Sequence, residues 1–314
     1  MKKILTWLAI IILPLTLSAQ MKTPNLQFVT DETPLKTESA PPKPDVKSEN
    51  LEKVIELNNL GMKKVLVDKD YKQAISYFSR AIEIDANCFN CRYNLARSFF
   101  EAGDYDDGLK IFRELIAIDP QHSKTLASIG ESYNKKEMFE ESQAYFRRAL
   151  AADPNDAETL VNYSVSLNRT KQFAEALKKV DEAIKIKPEL AEAHCNRGYT
   201  LYWLERYKEA LESLKKADRL APNSAFVHNN MGAVLEKMGK DDEAFKHFSK
   251  AVSLQPDYGE GLWNLAISNL KKGNRDAAYE QLKQLEKCDY ALADHLRKLL
   301  WSKFTLDASQ KKQS

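Results

Sequence analysis

Apolar and polar positions alternate along most of the chain with the helical period of 3.6 residues, and that pattern itself recurs every 34 residues. In residues 157–188 the pattern predicts two amphipathic helices, A and B, joined by a short turn. The face of helix A that packs on helix B consists of Leu160, Tyr163, Ser164 and Leu167. The apolar stripe of helix B consists of Phe173, Ala176, Val180 and Ala183. Helix A has a second, more polar face, which must contact something else.

Small and proline residues mark the same 34-residue repeat. Prolines close five successive units at Pro120, Pro154, Pro188, Pro222 and Pro256. The eighth position of each unit holds Gly61, Ala96, Gly130, Ser164, Gly198, Gly232 or Ala266. The twentieth position holds Ala74, Gly108, Ser142, Ala176, Ala210, Ala244 or Ala278. Two helices that cross closely leave no room for branched side chains there, so a larger residue would cost about 1–3 kcal/mol.

This combination of small, aromatic and proline positions resembles the tetratricopeptide repeat (TPR) over about three quarters of the chain. The resemblance implies an all-α, right-handed superhelical solenoid of about seven helix-turn-helix repeats. The predicted repeats, together spanning 51–290, are approximately 54–87, 89–122, 123–156, 157–190, 191–224, 225–258 and 259–290. A solenoid needs its last apolar face covered, so we expect a capping helix at 291–304, followed by a polar tail at 305–314. The first unit departs from the pattern by one extra residue before Tyr71 and by Ala86 at the proline position.

The N-terminus has the pattern of a secretory signal. Two lysines precede an uncharged run from Ile4 to Ala19 that ends in small residues. We expect a signal peptide at 1–19 and a disordered linker at 20–50, which is rich in proline and charge. This predicts an exported protein, periplasmic or secreted, with an uncleaved signal anchor as the alternative.

Charge and cysteine content exclude some classes of protein. The 314 residues include 47 Lys and Arg and 45 Asp and Glu. Loss of Lys2 and Lys3 with the signal would leave 45 of each sign, and near-neutrality argues against a nucleic-acid partner. Four cysteines in a chain of this length do not make a disulfide scaffold.

The TPR resemblance implies that the second face of each helix A lines a concave groove. Asparagine dominates its sixth position, at Asn59, Asn94, Asn162, Asn196, Asn230 and Asn264, with Ser128 as the exception. This ladder is similar to the one in the TPR region of the nucleocytoplasmic N-acetylglucosamine transferase, and it could bind the backbone of an extended peptide. The alternative is that these asparagines pack between repeats. Further predicted groove residues are Tyr93, Arg97, Asn134, Asn168, Tyr199, Tyr202 and Trp263.

These features favour a non-enzymatic scaffold that binds a protein or peptide in the groove. No catalytic motif, phosphate-binding loop or metal-ligand spacing stands out, so no cofactor, metal or small-molecule substrate is expected. Some TPR co-chaperones hold a C-terminal carboxylate with a clamp of lysine and asparagine side chains. No lysine occupies the fifth position of helix A here, so this clamp is not expected. Arg197 occupies a position where an apolar residue is expected, without an evident reason.

Cys88 and Cys91 form a C-F-N-C motif at the start of a predicted helix A. A helix N-terminus lowers the pKa of a thiol, as in redox pairs, yet no βαβ pattern surrounds the motif. A structural or adventitious cysteine pair, able to form a disulfide, is the favoured interpretation. For the function of the whole protein, the alternatives to a scaffold are a redox or disulfide-handling module that uses Cys88 and Cys91, or a substrate-binding arm of a separate enzyme subunit.

Overall fold

The computed structural model describes the backbone of residues 46–310 and the side chains of residues 49–301. Within that backbone the chain forms fifteen α-helices and no strand, which confirms the all-α prediction. The described residues divide after Thr170 into two compact units. The predicted signal peptide, most of the predicted linker and the end of the predicted tail lie outside the described residues.

The N-terminal unit contains seven helices, in which odd numbers correspond to helix A and even numbers to helix B. They are α1 (Val46–Lys63), α2 (Tyr71–Ile84), α3 (Phe89–Ala102), α4 (Tyr105–Ile118), α5 (Ser123–Lys135), α6 (Phe139–Ala152) and α7 (Ala157–Arg169). Helix α1 begins at Val46, inside the predicted linker at 20–50, since the last linker proline is Pro44 and nothing after it opposes a helix.

The C-terminal unit contains eight helices. They are α8 (Phe173–Ile186), α9 (Ala191–Trp203), α10 (Tyr207–Leu220), α11 (Ala225–Lys237), α12 (Asp241–Leu254), α13 (Gly259–Lys271), α14 (Arg275–Cys288) and α15 (Tyr290–Gln310). Helix α15 buries Ala293, Leu296 and Leu300 in a cluster with residues of α13 and α14. It runs past the predicted end at residue 304, because residues 305–310 contain no Gly or Pro to stop it.

The extra residue of the first repeat is absorbed at the end of helix A. A π-helical turn, Lys64–Asp68, follows α1, and the Lys69 N–H donates to the Lys64 carbonyl five residues earlier. A π-turn accommodates one residue more than an α-turn, so the chain re-enters the 34-residue register at Lys69.

The turn between helices A and B repeats one backbone conformation. A residue with positive φ occurs every 34 positions, at Lys69, Gly103, Glu137, Lys171, Glu205, Gly239 and Gly273. At Glu205 the following N–H, of Arg206, donates to the Leu201 carbonyl at 2.9 Å. This hydrogen bond is that of a Schellman motif, which satisfies carbonyls at the helix end.

Glycines at the eighth position face large apolar side chains of helix B. A Cβ atom added at Gly232 would lie 2.5 Å from the Phe248 ring, and one at Gly130 would lie 2.7 Å from the Phe146 ring. Both phenylalanines are fully or almost fully buried. The sequence constraint at this position therefore reflects the crossing of the two helices within a repeat.

Within the described residues, no helix combines the length and apolar character needed to cross a bilayer. Among the described side chains, no three His, Cys, Asp or Glu residues converge in a way that suits a metal ion.

Candidate functional site

Two of the sixth-position asparagines lie between successive A helices and hydrogen-bond the fifth position of the preceding repeat. Asn264 Nδ2 donates to Asn229 Oδ1 at 2.8 Å, which joins α13 to α11. Asn94 Nδ2 donates to Asn58 Oδ1 at 3.0 Å, which joins α3 to α1. The same two positions of consecutive repeats are therefore paired in both compact units.

One further repeat follows this rule with other residue types. Ser128 Oγ lies 3.2 Å from the Tyr93 hydroxyl, a hydrogen bond in which either oxygen can donate. Asn230 lies beside the buried Cys195 thiol, at the same two positions, but does not hydrogen-bond it. Burial raises the pKa of that thiol to about 12, so Cys195 is a protonated thiol at neutral pH.

Several asparagines of the predicted ladder are buried. Asn94 and Asn196 are 0% exposed and Asn230 is 3% exposed, so these side chains do not line an open surface. Asn59, the sixth-position residue of the first repeat, is exposed, and its neighbour Asn58 at the fifth position makes the contact with α3. Packing between repeats, the alternative interpretation of these asparagines, accounts for their burial.

Asn162 departs from the rule and leads to a cluster of charged side chains. The fifth position of the preceding repeat is Ala127, which offers no polar side-chain atom. Asn162 Nδ2 instead donates to Glu131 Oε1 at 2.8 Å. Its own carbonyl accepts from Asn134 Nδ2 at 3.2 Å.

Arg97, Glu101, Glu131 and Lys135 form what we call the charged cluster. Arg97 Nη1 donates to Glu131 Oε2 at 2.6 Å, and Arg97 Nη2 donates to Glu101 Oε1 at 3.0 Å. Arg97 and Glu131 occupy the ninth position of consecutive repeats, and Glu101 and Lys135 occupy the thirteenth. Opposite charges thus alternate on a square that spans α3 and α5.

Burial and mutual attraction compete within the charged cluster. Side-chain exposure is 6% for Arg97, 12% for Glu101 and 21% for Glu131. Burial opposes the charged guanidinium, but the combined attraction of Glu131, Tyr93 and Glu101 outweighs it, so the pKa of Arg97 is raised. Burial raises the pKa of Glu101 despite Arg97, and burial lowers the pKa of Lys135 despite Glu131 and Glu101.

The predicted groove residue Asn168 lies at the end of α7, next to Arg169. Asn168 is 3% exposed. Arg169, whose side chain is 8% exposed, pairs with Glu137 at 3.0 Å and lies over the Phe139 ring at 4.9 Å. Glu137 is the positive-φ residue of the turn after α5. The ion pair therefore holds the Arg169 side chain against that turn and away from solvent.

The predicted aromatic groove residues of the C-terminal unit are packed inside it. Tyr199, Tyr202 and Trp263 are 3%, 8% and 4% exposed. Trp203 stacks on Phe173 with ring centroids 5.6 Å apart, and the two tyrosines contact its edge. Tyr93, in the N-terminal unit, is 2% exposed. These four predicted groove residues therefore contribute packing, because aromatic rings bury large apolar areas.

The charged cluster was only partly visible in the sequence. Arg97 was predicted as a groove residue, whereas Glu101 and Lys135 were not. Their spacing of four residues from Arg97 and Glu131 was the available signal, since i,i+4 pairs share a helix face. A second buried polar contact was missed altogether: the Tyr258 hydroxyl donates to Glu260 Oε2 at 2.8 Å. A separation of two residues gives no such signal.

Sequence models described as tetratricopeptide repeat match residues 66–130, 129–191, 191–224 and 225–258. Together these matches run without a gap over well over half of the 314 residues. The chain belongs to the tetratricopeptide repeat family. TPRs are typically non-enzymatic scaffolds for interactions between proteins.

Solved structures of other TPR proteins share this fold. A tetratricopeptide repeat protein from Parabacteroides merdae is 14% identical with a TM-score of 0.65, covering 80% of this chain and 99% of that one. PilW, a type IV pilus biogenesis factor, is 22% identical with a TM-score of 0.61, covering 68% and 99%. Pseudomonas aeruginosa pilF is 20% identical with a TM-score of 0.57, covering 70% and 97%. No curated protein sequence matches the chain.

The structure also explains the unexpected arginine in the fifth TPR. Arg197 Nε donates to Asp181 Oδ1 at 2.7 Å, and Arg197 Nη1 donates to Ser213 Oγ at 2.6 Å. Arg197 thereby links α9 to the B helices of its own and the preceding repeat, α10 and α8. Its role is structural.

Proposed function

We propose that the protein is an exported, non-enzymatic adaptor that binds a protein or peptide partner through the charged cluster on the A helices of its N-terminal unit. The TPR family assignment supports the class of function. The charged cluster supports the place, because it is the part of the predicted groove where charged side chains are gathered and partly exposed. The buried asparagines and aromatic residues are not part of the proposed site.

The observation that carries the proposal is the Arg97–Glu131 pair with its two neighbours, in which Arg97 is almost fully buried and Glu131 is partly exposed. Removing charges from water costs free energy, and apolar side chains of similar volume often give equal or greater stability. Stability alone therefore does not require a charged square on this face. Side chains already held in place lose little freedom when a partner binds, which favours recognition.

The charges of the site indicate the kind of partner segment it suits. Arg97 and Lys135 offer hydrogen-bond donors, and Glu101 and Glu131 offer acceptors. The formal charges cancel, so the site favours a segment that carries both a carboxylate and a cationic or amide group. A strongly acidic or strongly basic segment would meet like charge as well as opposite charge.

Export rests on the N-terminal signal pattern. We propose cleavage after Ala19, which places the TPRs in the periplasm or outside the cell. Mass spectrometry of the mature chain from the exported fraction measures its first residue, and a chain that retains Met1 would refute cleavage.

The binding site is tested by crosslinking pull-down from the exported compartment, quantified by mass spectrometry. Lys135→Ala removes a corner of the charged cluster and leaves the Arg97–Glu131 ion pair. Lys136→Ala is the matched control, since Lys136 pairs with Asp106 instead. We expect Lys135→Ala to reduce capture of a specific partner at least about tenfold, a loss of ~1.4 kcal/mol. Equal capture by both variants would place the site elsewhere.

A further inference from the structure

The two cysteines of the Cys88–Cys91 disulfide differ in their exposure to solvent. The residues are bonded to each other at the start of α3. Cys91 is 1% exposed and packs with Val54, Leu57 and Ala81. Cys88, the residue before the helix, is only half-buried. A thiol in solution can therefore reach Cys88 Sγ more readily than Cys91 Sγ.

The helix favours negative charge on the accessible sulfur. The Cys91 N–H donates to Cys88 Sγ at 3.2 Å. Helix α3 is fourteen residues long, and the positive end of its dipole lies at Cys88. Both effects stabilise a Cys88 thiolate, the form that attacks disulfides and departs from them.

The other two cysteines lack this combination. Cys195 is buried, and its pKa is raised by burial. Cys288 is exposed, but the pKa of its thiol is raised by partial burial and by Asp289 and Asp257. Of the four cysteines, Cys88 is the one that is both accessible to solvent and stabilised as a thiolate.

We propose that the Cys88–Cys91 disulfide exchanges with a protein dithiol, oxidising it to a disulfide. A substrate thiolate attacks Cys88 Sγ and forms a mixed disulfide, while the Cys88–Cys91 bond breaks and Cys91 leaves as a thiolate that takes up a proton. The second substrate thiolate then attacks the substrate sulfur of the mixed disulfide, and Cys88 departs. Two electrons and two protons pass from the substrate dithiol to Cys88 and Cys91.

The first experiment follows the disulfide in the full chain at pH 7. The oxidised protein is mixed with a synthetic peptide that carries two cysteine thiols or, separately, with glutathione at equal thiol concentration. Free cysteines are alkylated at timed intervals and located by mass spectrometry. We expect the dithiol peptide to open the disulfide faster than glutathione. A disulfide that stays closed in the folded chain, or that opens faster with glutathione, would overturn the proposal.

The second experiment tests the assigned roles of the two sulfurs. Cys91→Ala keeps a small apolar side chain in the buried position and leaves Cys88 free. We expect a peptide disulfide to modify Cys88 at least about fivefold faster than Cys288 of the same molecule, because a larger thiolate fraction outweighs the lower nucleophilicity of that thiolate. Cys288 is the internal control, and Cys88→Ala should leave Cys91 slower than Cys288.

Circular dichroism verifies that each variant is folded. If Cys91→Ala unfolds, the same rates are measured on the reduced wild-type chain. Modification of Cys88 no faster than that of Cys288 would assign the disulfide a structural role alone.

Discussion

At the scale of single residues, the ionisable side chains affect the charge of the protein and the pH dependence of its stability as well as its packing. Arg97 retains its charge although it is almost fully buried, because two carboxylates contact it. His228 and His247 form a different kind of pair in the C-terminal unit. Their Nδ1 atoms lie 3.1 Å apart, and His228 Nε2 lies 3.6 Å from Asp218 Oδ1. Two imidazoles this close cannot both take up a proton without repulsion.

This histidine pair predicts a stability that depends on pH. Burial lowers the pKa of both histidines below 6.5, and mutual repulsion lowers that of His247 further. The unfolded chain therefore binds protons more readily than the folded one. The free energy of unfolding should be highest above about pH 6.5 and should fall as the pH drops through 6.5 and towards the folded-state pKa values.

The surroundings of the pair set the size of that effect. Asp218 and Glu243 favour protonation, whereas Lys250 and Lys215 oppose it. Denaturant unfolding at a series of pH values measures the slope. The double variant His228→Asn with His247→Asn should flatten it between pH 7 and pH 5, and an unchanged slope would remove the pair as its cause.

At the scale of elements, hydrogen bonds between consecutive A helices hold the repeats in register. Asn264 bonds Asn229, and Asn94 bonds Asn58. These asparagines thus fix how consecutive A helices pack, and the small residues fix how helices A and B of one repeat pack. Each contact joins neighbouring repeats, which is how repeat arrays gain most of their stability.

Loss of one of these bonds should lower stability rather than binding. Asn264→Ala leaves Asn229 Oδ1 without its donor in a residue that is 1% exposed. We expect a cost of about 1–3 kcal/mol in the free energy of unfolding, measured by urea denaturation. Asn274→Ala, in an exposed turn without a side-chain capping bond, is the control and should cost less than about 0.5 kcal/mol. If Asn264→Ala instead kept its full stability and lost partner capture, the asparagine ladder would again be the candidate binding site.

At the scale of the whole molecule, the described residues form two compact units, and each is built from the same 34-residue element. The N-terminal unit carries the charged cluster and the disulfide. The C-terminal unit carries the aromatic cluster, the histidine pair and the last helix, α15. Because repeats contact chiefly their neighbours, damage within one unit should remain local.

Ala210→Leu tests this locality. Ala210 is 0% exposed, and its carbonyl lies 3.2 Å from a Cβ atom placed at Gly198, so the crossing of α9 and α10 has no spare volume. We expect a cost of about 1–3 kcal/mol. Hydrogen exchange should show lost protection in residues 191–237 and unchanged protection in residues 89–135.

Lys208→Leu, at an exposed position of the same helix, is the control for added apolar volume. A uniform loss of protection along the whole chain would contradict locality, and an unchanged Ala210→Leu variant would contradict the packing.

Much of the fold could be predicted because its determinants are local and repeated. Amphipathic periodicity, small residues such as Gly232 and the 34-residue spacing each recur seven times or nearly so. Helix ends were harder to place, as α1 and α15 show, because polar residues permit a helix without requiring one. The π-turn at Lys64–Asp68 has the extra residue as its only sequence signal.

The face of a helical residue follows from its periodicity, but its burial does not. The sequence by itself determined that Asn94, Tyr199 and Arg97 lie on the second face of their A helices. Only the tertiary structure decided that Asn94 and Tyr199 are buried, Asn94 against the preceding repeat, while Arg97 meets Glu131 from α5 in a partly exposed cluster. Periodicity describes one helix at a time, whereas burial depends on how closely two helices approach and on which side chains of both fill the space between them.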